Sequence, residues 1–410
     1  MKKTICILMI LSVMLQLAAC GSQPAAVKTA NLTGEISPAE PMDLAEIDVE
    51  GAQKAAADFA VSLLQASSTE NGENLILSPY SALYALAMAA NGADGETLAQ
   101  MEEVFGMSSE ELNNFLYLCR EKAREELSSA NSIWVRDDKA ADVRPEFLQT
   151  NTDYFRAQIF RAAFDEQTLA DINEWVSVQT KERIEEMLKE LDDDTVMILL
   201  NALTFDGEWE SPFEGYRTHD SLFYPAKGEA QEVQMMSDTV YGYLEDGKAT
   251  GFVKDYKNGY SFVALLPNEG VSMEEYVASL SGPALLETVA GARDERVEIA
   301  MPKLEAECSL ELGSALAAMG MEKAFSRAAD FSRIDGTKEL YISKVLHKTY
   351  LKIDEEGTEA AASTAIDLAP KSAPIELGKR VLLNRPFVMV IMDKESNTIL
   401  FAGIVNQVKN

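Results

Sequence analysis

Apolar positions recur at helical spacing in the first half of the chain and at strand spacing in most of the second. Residues 51–66 carry Ala55, Phe59, Leu63 and Leu64 on one helical face. Ser78-Pro79 opens a second apolar helix over 80–90, because proline fits a first helical turn, where its missing N–H is not needed. Asn91-Gly92-Ala93 ends it. The pattern then predicts amphipathic helices over 97–105 and 110–127, a strand over 128–136, a helix over 171–188 and a buried strand over 195–205. Strand-like alternation follows over 231–236, 240–244, 252–256, 260–266 and 296–302. A helix over 310–319, a strand over 341–353 and terminal strands over 387–392 and 399–405 complete the series. Helices first and strands later predict an α+β domain. No Pro/Gly/Ser-rich linker or internal repeat divides residues 51–410, so they read as one domain despite a length that suits two.

The segment from Asp354 to Pro374, DEEGTEAAASTAIDLAPKSAP, carries two patterns at once. Thr358, Ala360, Ala362, Thr364, Ile366 and Leu368 line one face of an extended strand, with Glu359, Ser363 and Asp367 on the other. It ends in Pro370-Lys371-Ser372-Ala373-Pro374, a composition typical of exposed loops that proteases cut. The segment therefore reads as a loop able to become a strand. An Ala-rich helix stopped by Pro370 is the competing reading of the same residues.

At the amino terminus Lys2 and Lys3 precede an apolar run from Ile5 to Leu17, too short to span a bilayer and placed as a targeting segment. Leu17-Ala18-Ala19-Cys20 resembles a bacterial lipobox. That likeness implies cleavage of residues 1–19 and lipidation of Cys20, which would hold the protein on the outer face of a membrane; ordinary signal-peptide cleavage nearby is the alternative. Residues 20–50, with Pro24, Pro38 and Pro41, read as a flexible tether.

The formal charge of −31 disfavours nucleic acid and anionic headgroups as partners. Only His219 and His347 could serve as imidazole bases or ligands, and the chain has no HExxH, Gly-x-Ser-x-Gly, Ser-x-x-Lys, P-loop or CxxC. An enzyme, a metal site or a cofactor is therefore not expected. Beyond Cys6 and Cys20 the cysteines are Cys119 and Cys308; buried thiols are the simpler expectation, with a disulfide left open.

Several segments, in order, resemble the serpins, the suicide inhibitors of serine proteases. They are Asn74-Leu75-Ile76-Leu77-Ser78-Pro79-Tyr80-Ser81-Ala82-Leu83, the run from Asn201 to Phe213 (NALTFDGEWESPF), Val233-Gln234-Met235-Met236, Leu265-Leu266-Pro267 and Ala300-Met301-Pro302-Lys303-Leu304. The 354–374 segment, Leu383-Asn384-Arg385-Pro386-Phe387 and Thr398-Ile399-Leu400-Phe401-Ala402-Gly403 continue the series. The resemblance implies a large central mixed sheet, smaller sheets, about nine helices and an exposed reactive-centre loop near residues 355–380. It implies a hinge at Glu355, Gly357, Thr358, Glu359, Ala360, Ala361 and Ala362, with Gly357 allowing the sharp turn into it. It also implies a polar shutter of Ser78, Ser81, Asn201 and His347, and a breach at Trp209.

By the same resemblance a serine protease attacks the Lys371-Ser372 bond and forms a covalent acyl-enzyme, and the freed hinge enters the sheet. Lys371 implies trypsin-like targets, and a monomer is expected. Cutting at Leu368 would imply elastase-like or chymotrypsin-like targets. A non-inhibitory surface scaffold is the alternative from another class, though the small residues at 360–362 favour an inhibitor. One departure is Glu182, where the family usually carries glycine before a basic residue at a helix end.

Overall fold

The computed structural model describes residues 27–39, 47–68, 72–124, 126–139, 142–358 and 378–408. Two sheets enclose the main core. The eight-stranded main sheet runs Ala30–Asn31, Gln158–Ala162, Leu127–Arg136, Met197–Phe205, Lys344–Ile353, Gly357–Thr358 and Gly207–Glu208, with Leu304–Glu311 paired to Lys344–Ile353 off this path. The second sheet has nine strands rather than being split into smaller ones, because Gln231–Glu245 runs unbroken for 15 residues where two short strands were expected. Between the sheets lies the helix Pro79–Ala90, all 12 of whose residues are buried. An all-round apolar helix needs a partner on every side, and here the partners are strands of both sheets and neighbouring helices.

Several boundaries differ from expectation. The helix predicted over 171–188 is Glu166–Gln179; it stops where Lys181 and Glu182 adopt left-handed backbone, φ 53° and 64°. The second amphipathic helix is Ser109–Lys122, started by a capping box in which Ser108 and Glu111 satisfy each other's backbone N–H. The helix expected over 310–319 begins three residues later. Leu304–Glu311 is a strand in which Leu304, Ala306 and Cys308 alternate with Glu305 and Glu307, and the helical turn Gly313–Leu316 continues as a π-helical stretch, Ala317–Met321, broken at Gly320. Helices at Pro145–Phe155, Met273–Ala278 and Gly282–Ala290 are additional.

The flexible-tether reading of residues 20–50 fails for its described part. Ala30–Asn31 adds an edge strand antiparallel to Gln158–Ala162. One carboxylate oxygen of Asp171 accepts from the Lys28 N–H at 3.1 Å, the Thr29 N–H at 2.7 Å and the Thr29 hydroxyl at 2.6 Å. Thr33 donates its hydroxyl to the Ala157 carbonyl at 2.8 Å. Backbone and side-chain hydrogen bonds, invisible to composition, dock this stretch on the domain.

Candidate functional site

The centre of the main sheet is a seam. Met197–Phe205 and Lys344–Ile353 pair directly and in parallel, from Lys344 opposite Ile198 to Tyr350 opposite Thr204. Above that seam Gly357–Thr358 stands between the two sides, Thr358 facing Ile353 on one flank and Gly207 on the other, antiparallel to both. The chain reaches this position by a tight turn. The Asp354 N–H bonds the Gly357 carbonyl at 2.9 Å, and the Asp354 carboxylate accepts from the N–H groups of Glu356 and Gly357 at 3.0 and 3.4 Å. Gly357 is needed for room rather than for the turn: a Cβ there would lie 2.1 Å from the Gly207 carbonyl oxygen, and its φ is not among the positive ones. That corrects the expectation of a turn-forming glycine.

A row of polar side chains crosses the sheet at one level, because register sets Asn131 opposite Asn201 and Asn201 opposite His347. The sequence Asn-Ala-Leu-Thr-Phe puts Asn201 in a strand that is buried throughout, so its amide must be satisfied inside. Its Nδ2 donates to the Ser81 carbonyl and, at 2.7 Å, to Asn131 Oδ1. Its Oδ1 contacts His347 Nδ1. His347 Nε2 accepts the Ser78 N–H at 2.9 Å, so a neutral ring carries its proton on Nδ1 and donates it to Asn201. Burial alone depresses the His347 pKa to about 3, which keeps the ring neutral. Ser78 caps the buried helix through the Ser81 N–H at 3.2 Å, and Ser81 Oγ reaches Asn131 at 3.5 Å. Ser78, Ser81, Asn201 and His347 are thus brought together, and Asn131 joins them. Asn131 escaped the sequence reading; its signal was the polar run Ser128-Ser129-Ala130-Asn131-Ser132 in a strand between apolar neighbours.

At the top of the seam lies Trp209, fully buried. Its ring stacks on Tyr256 with centroids 4.2 Å apart at 12°, and packs edge-on against Phe213 and Phe262. The Tyr256 hydroxyl meets Thr358 Oγ1 at 2.6 Å inside the protein, and burial pushes that phenol far above its ordinary pKa. Glu355 is tied from two sides, by the Lys303 ammonium at 2.7 Å and the Thr218 hydroxyl at 2.8 Å. Burial opposes its charge, but those partners outweigh burial and hold the carboxyl below its usual range.

Of the remaining predicted positions, Glu359, Ala360, Ala361, Ala362, Lys371, Ser372 and Cys20 lie outside the described residues. His219 is exposed, its Nδ1 3.3 Å from the Arg217 carbonyl. Cys119 and Cys308 are buried thiols with separate partners, Thr398 Oγ1 at 3.4 Å and the Asn74 carbonyl at 3.7 Å. Among the described residues no group of three or more His, Cys, Asp or Glu is placed to hold a metal ion.

A sheet whose central strands meet below an entering hinge, with a buried polar row at their junction, is the architecture of a protease-inhibitor fold, and comparison with known proteins agrees. The family described as "Serpin (serine protease inhibitor)" matches residues 54–408, and the chain belongs to the serpin family. Human alpha-1-antichymotrypsin is 32% identical over 381 residues, covering 88% of each chain. Among solved structures, the thermophilic serpin tengpin in its native state superposes with a TM-score of 0.87 at 40% identity, covering 93% of this chain and all of that one. Tengpin in its latent state gives a TM-score of 0.76 at 37% identity, covering 90% of this chain and all of that one. The fold is thus nearer the native arrangement of that relative.

Proposed function

We propose that this serpin is a suicide-substrate inhibitor of trypsin-like serine proteases, held on the outer face of a bacterial membrane by a lipid on Cys20. The observation that carries the inhibitory reading is the seat of Thr358, one antiparallel rung already formed at the top of a parallel seam. A strand that continued downward from that rung would replace one parallel ladder by two antiparallel ones. Antiparallel pairing is the slightly stronger kind, and the number of ladder bonds rises. Energy is therefore available from insertion as long as the loop is kept out.

The protease supplies the release. Its catalytic serine attacks the Lys371 carbonyl, the Lys371–Ser372 bond breaks, Ser372 leaves as a new amino terminus, and the ester to Lys371 remains. The hinge then zips into the seam. At about 3.3 Å per residue, the residues from Thr358 to Lys371 carry the attached protease roughly 45 Å, which distorts its oxyanion site before water can deacylate it. Ala360 and Ala362 follow Thr358 on its face and pass between packed strands with little to displace. Counting down from Thr358, Thr364 comes level with His347 and Asn201, so its hydroxyl can replace the bond that opening the seam breaks. Lys371 suits an Asp-bearing primary pocket, which points to trypsin-like targets.

Mixing the protein with trypsin tests the reading. An SDS-resistant band of summed mass with loss of trypsin activity is expected; a loop nicked without trapping would leave a scaffold. Palmitate labelling that disappears in Cys20→Ser tests the anchor, and label persisting in that variant would refute it.

A further inference from the structure

Three hydrogen bonds tie the root of the hinge to the segment 209–213. The Trp209 N–H bonds the Glu356 carbonyl and the Phe213 N–H the Glu355 carbonyl, both at 2.9 Å, and the Trp209 indole N–H bonds the Asp354 carbonyl at 3.0 Å. The same segment is gripped from beneath by one side chain. The Lys254 ammonium donates to the Ser211 carbonyl at 2.7 Å and to Asp238 at 2.8 Å. It stands 4.4 Å from the centre of the Phe213 ring and 5.5 Å from that of Trp209. Lys254 thus touches residues 209, 211 and 213 of the segment that holds the hinge.

Its setting is costly. Lys254 is 3% exposed, against 16% for Asp238, within a cluster of Trp209, Phe213, Tyr256 and Phe262. Asp238 is also approached by Arg217 at 3.6 Å and accepts the Thr239 N–H at 2.7 Å, so the anion is fixed by more than the lysine. A buried ion pair is weak evidence for stability, since an apolar side chain of similar volume often fills such a place as well. What the charge adds is a hydrogen bond to the Ser211 carbonyl with a defined direction.

We propose, resting on the inhibitory reading above, that Lys254 is a positioning residue of the breach. It fixes the 209–213 segment so that the first rung of the inserting strand exists before the loop is cut. The rung at Thr358 is then a nucleus, and zipping proceeds without the entropy cost of first bringing the hinge to the seam. Once the acyl-enzyme forms, insertion competes with deacylation. A mis-seated hinge loses time, and more inhibitor is consumed for each protease trapped.

Lys254→Met and the double variant Lys254→Met/Asp238→Asn test this, the second because it removes the carboxylate that has lost its lysine if the first folds poorly. In both, the number of inhibitor molecules needed per trypsin is expected to rise about threefold or more, the scale of losing one oriented hydrogen bond. The melting temperature of the double variant should stay close to wild type, which separates positioning from plain stability. An unchanged stoichiometry in both folded variants overturns the proposal while wild-type complex formation keeps the inhibitory reading. A rise confined to Lys254→Met assigns the effect to the Asp238 carboxylate left without its lysine and also overturns it. Absence of any complex with the wild type overturns the inhibitory reading itself.

Discussion

The shutter and the breach lie on one seam a few rungs apart, yet they are built of different materials and pull in different directions. At the shutter the groups are neutral, buried and hydrogen-bonded across the seam, with His347 on one strand joined to Asn201 on the other. At the breach an aromatic floor and charged rim groups bond alongside the seam, from the 209–213 segment and Lys303 to the hinge root. A bond across a seam resists opening, whereas a bond beside it seats what enters. Damage to the first should ease opening of the sheet, and damage to the second should delay insertion.

The largest effect should come from leaving both regions whole and blocking the path between them. Ala360→Arg places a charge on the inward face of the entering strand, at a cost of several kcal/mol if unpaired. Trypsin should still cut the loop, and the SDS-resistant complex should vanish; a complex that persists contradicts zipping from the breach toward the shutter.

Next comes the shutter's proton balance. His347 is held neutral with a pKa near 3 in the fold, against 6.5 for a free side chain. The unfolded chain therefore binds more protons between those values, and stability falls as pH falls through that window. At about 1.4 kcal/mol per unit, the loss from this group is about 2 kcal/mol by pH 5. Denaturant midpoints of wild type and His347→Gln between pH 7 and pH 5 measure it, since the difference removes the carboxylates common to both. Parallel curves would mean that the ring is not buried neutral.

A smaller change sharpens the same contrast after insertion. Thr364→Val should lower the melting temperature of the loop-cleaved protein through loss of about 1 kcal/mol and leave the intact protein unchanged. An effect on the intact form alone would put Thr364 outside the inserted register. Smallest is Glu182→Gly, away from both regions. Relief of the left-handed backbone, partly offset by the entropy of a free glycine, should stabilise the native protein by about 0.5–1 kcal/mol without altering inhibitor stoichiometry. A change in stoichiometry would couple that helix end to the seam.

Much of this site could be read before any coordinates, because motif order and the alternation around Thr358 are local properties. Ser78, Ser81, Asn201 and His347 were named by the serpin resemblance, and their burial makes partners obligatory. Asn131 was not named, since only the register of Leu127–Arg136 against Met197–Phe205 sets it beside Asn201. Lys254 was hidden by its own strand: in Val253-Lys254-Asp255 it looks like an ordinary solvated position, and its burial depends on a segment some forty residues earlier. The strand Leu304–Glu311 was obscured because its last apolar residue, Leu310, also fits the helical pattern that Leu316 and Met319 continue; pairing with Lys344–Ile353 sets it in the sheet. The docked stretch at 27–39 has a linker's composition and is held by Asp171 and backbone pairing, neither of which composition can register.

The central claim is that the intact fold holds unspent pairing energy along the seam. It is tested by cutting the loop once with a metalloprotease, which forms no acyl-enzyme, and comparing the melting of cut and intact protein. The account predicts that the cut form melts well above the intact one. Equal melting temperatures, or a cut form that melts lower, would contradict it.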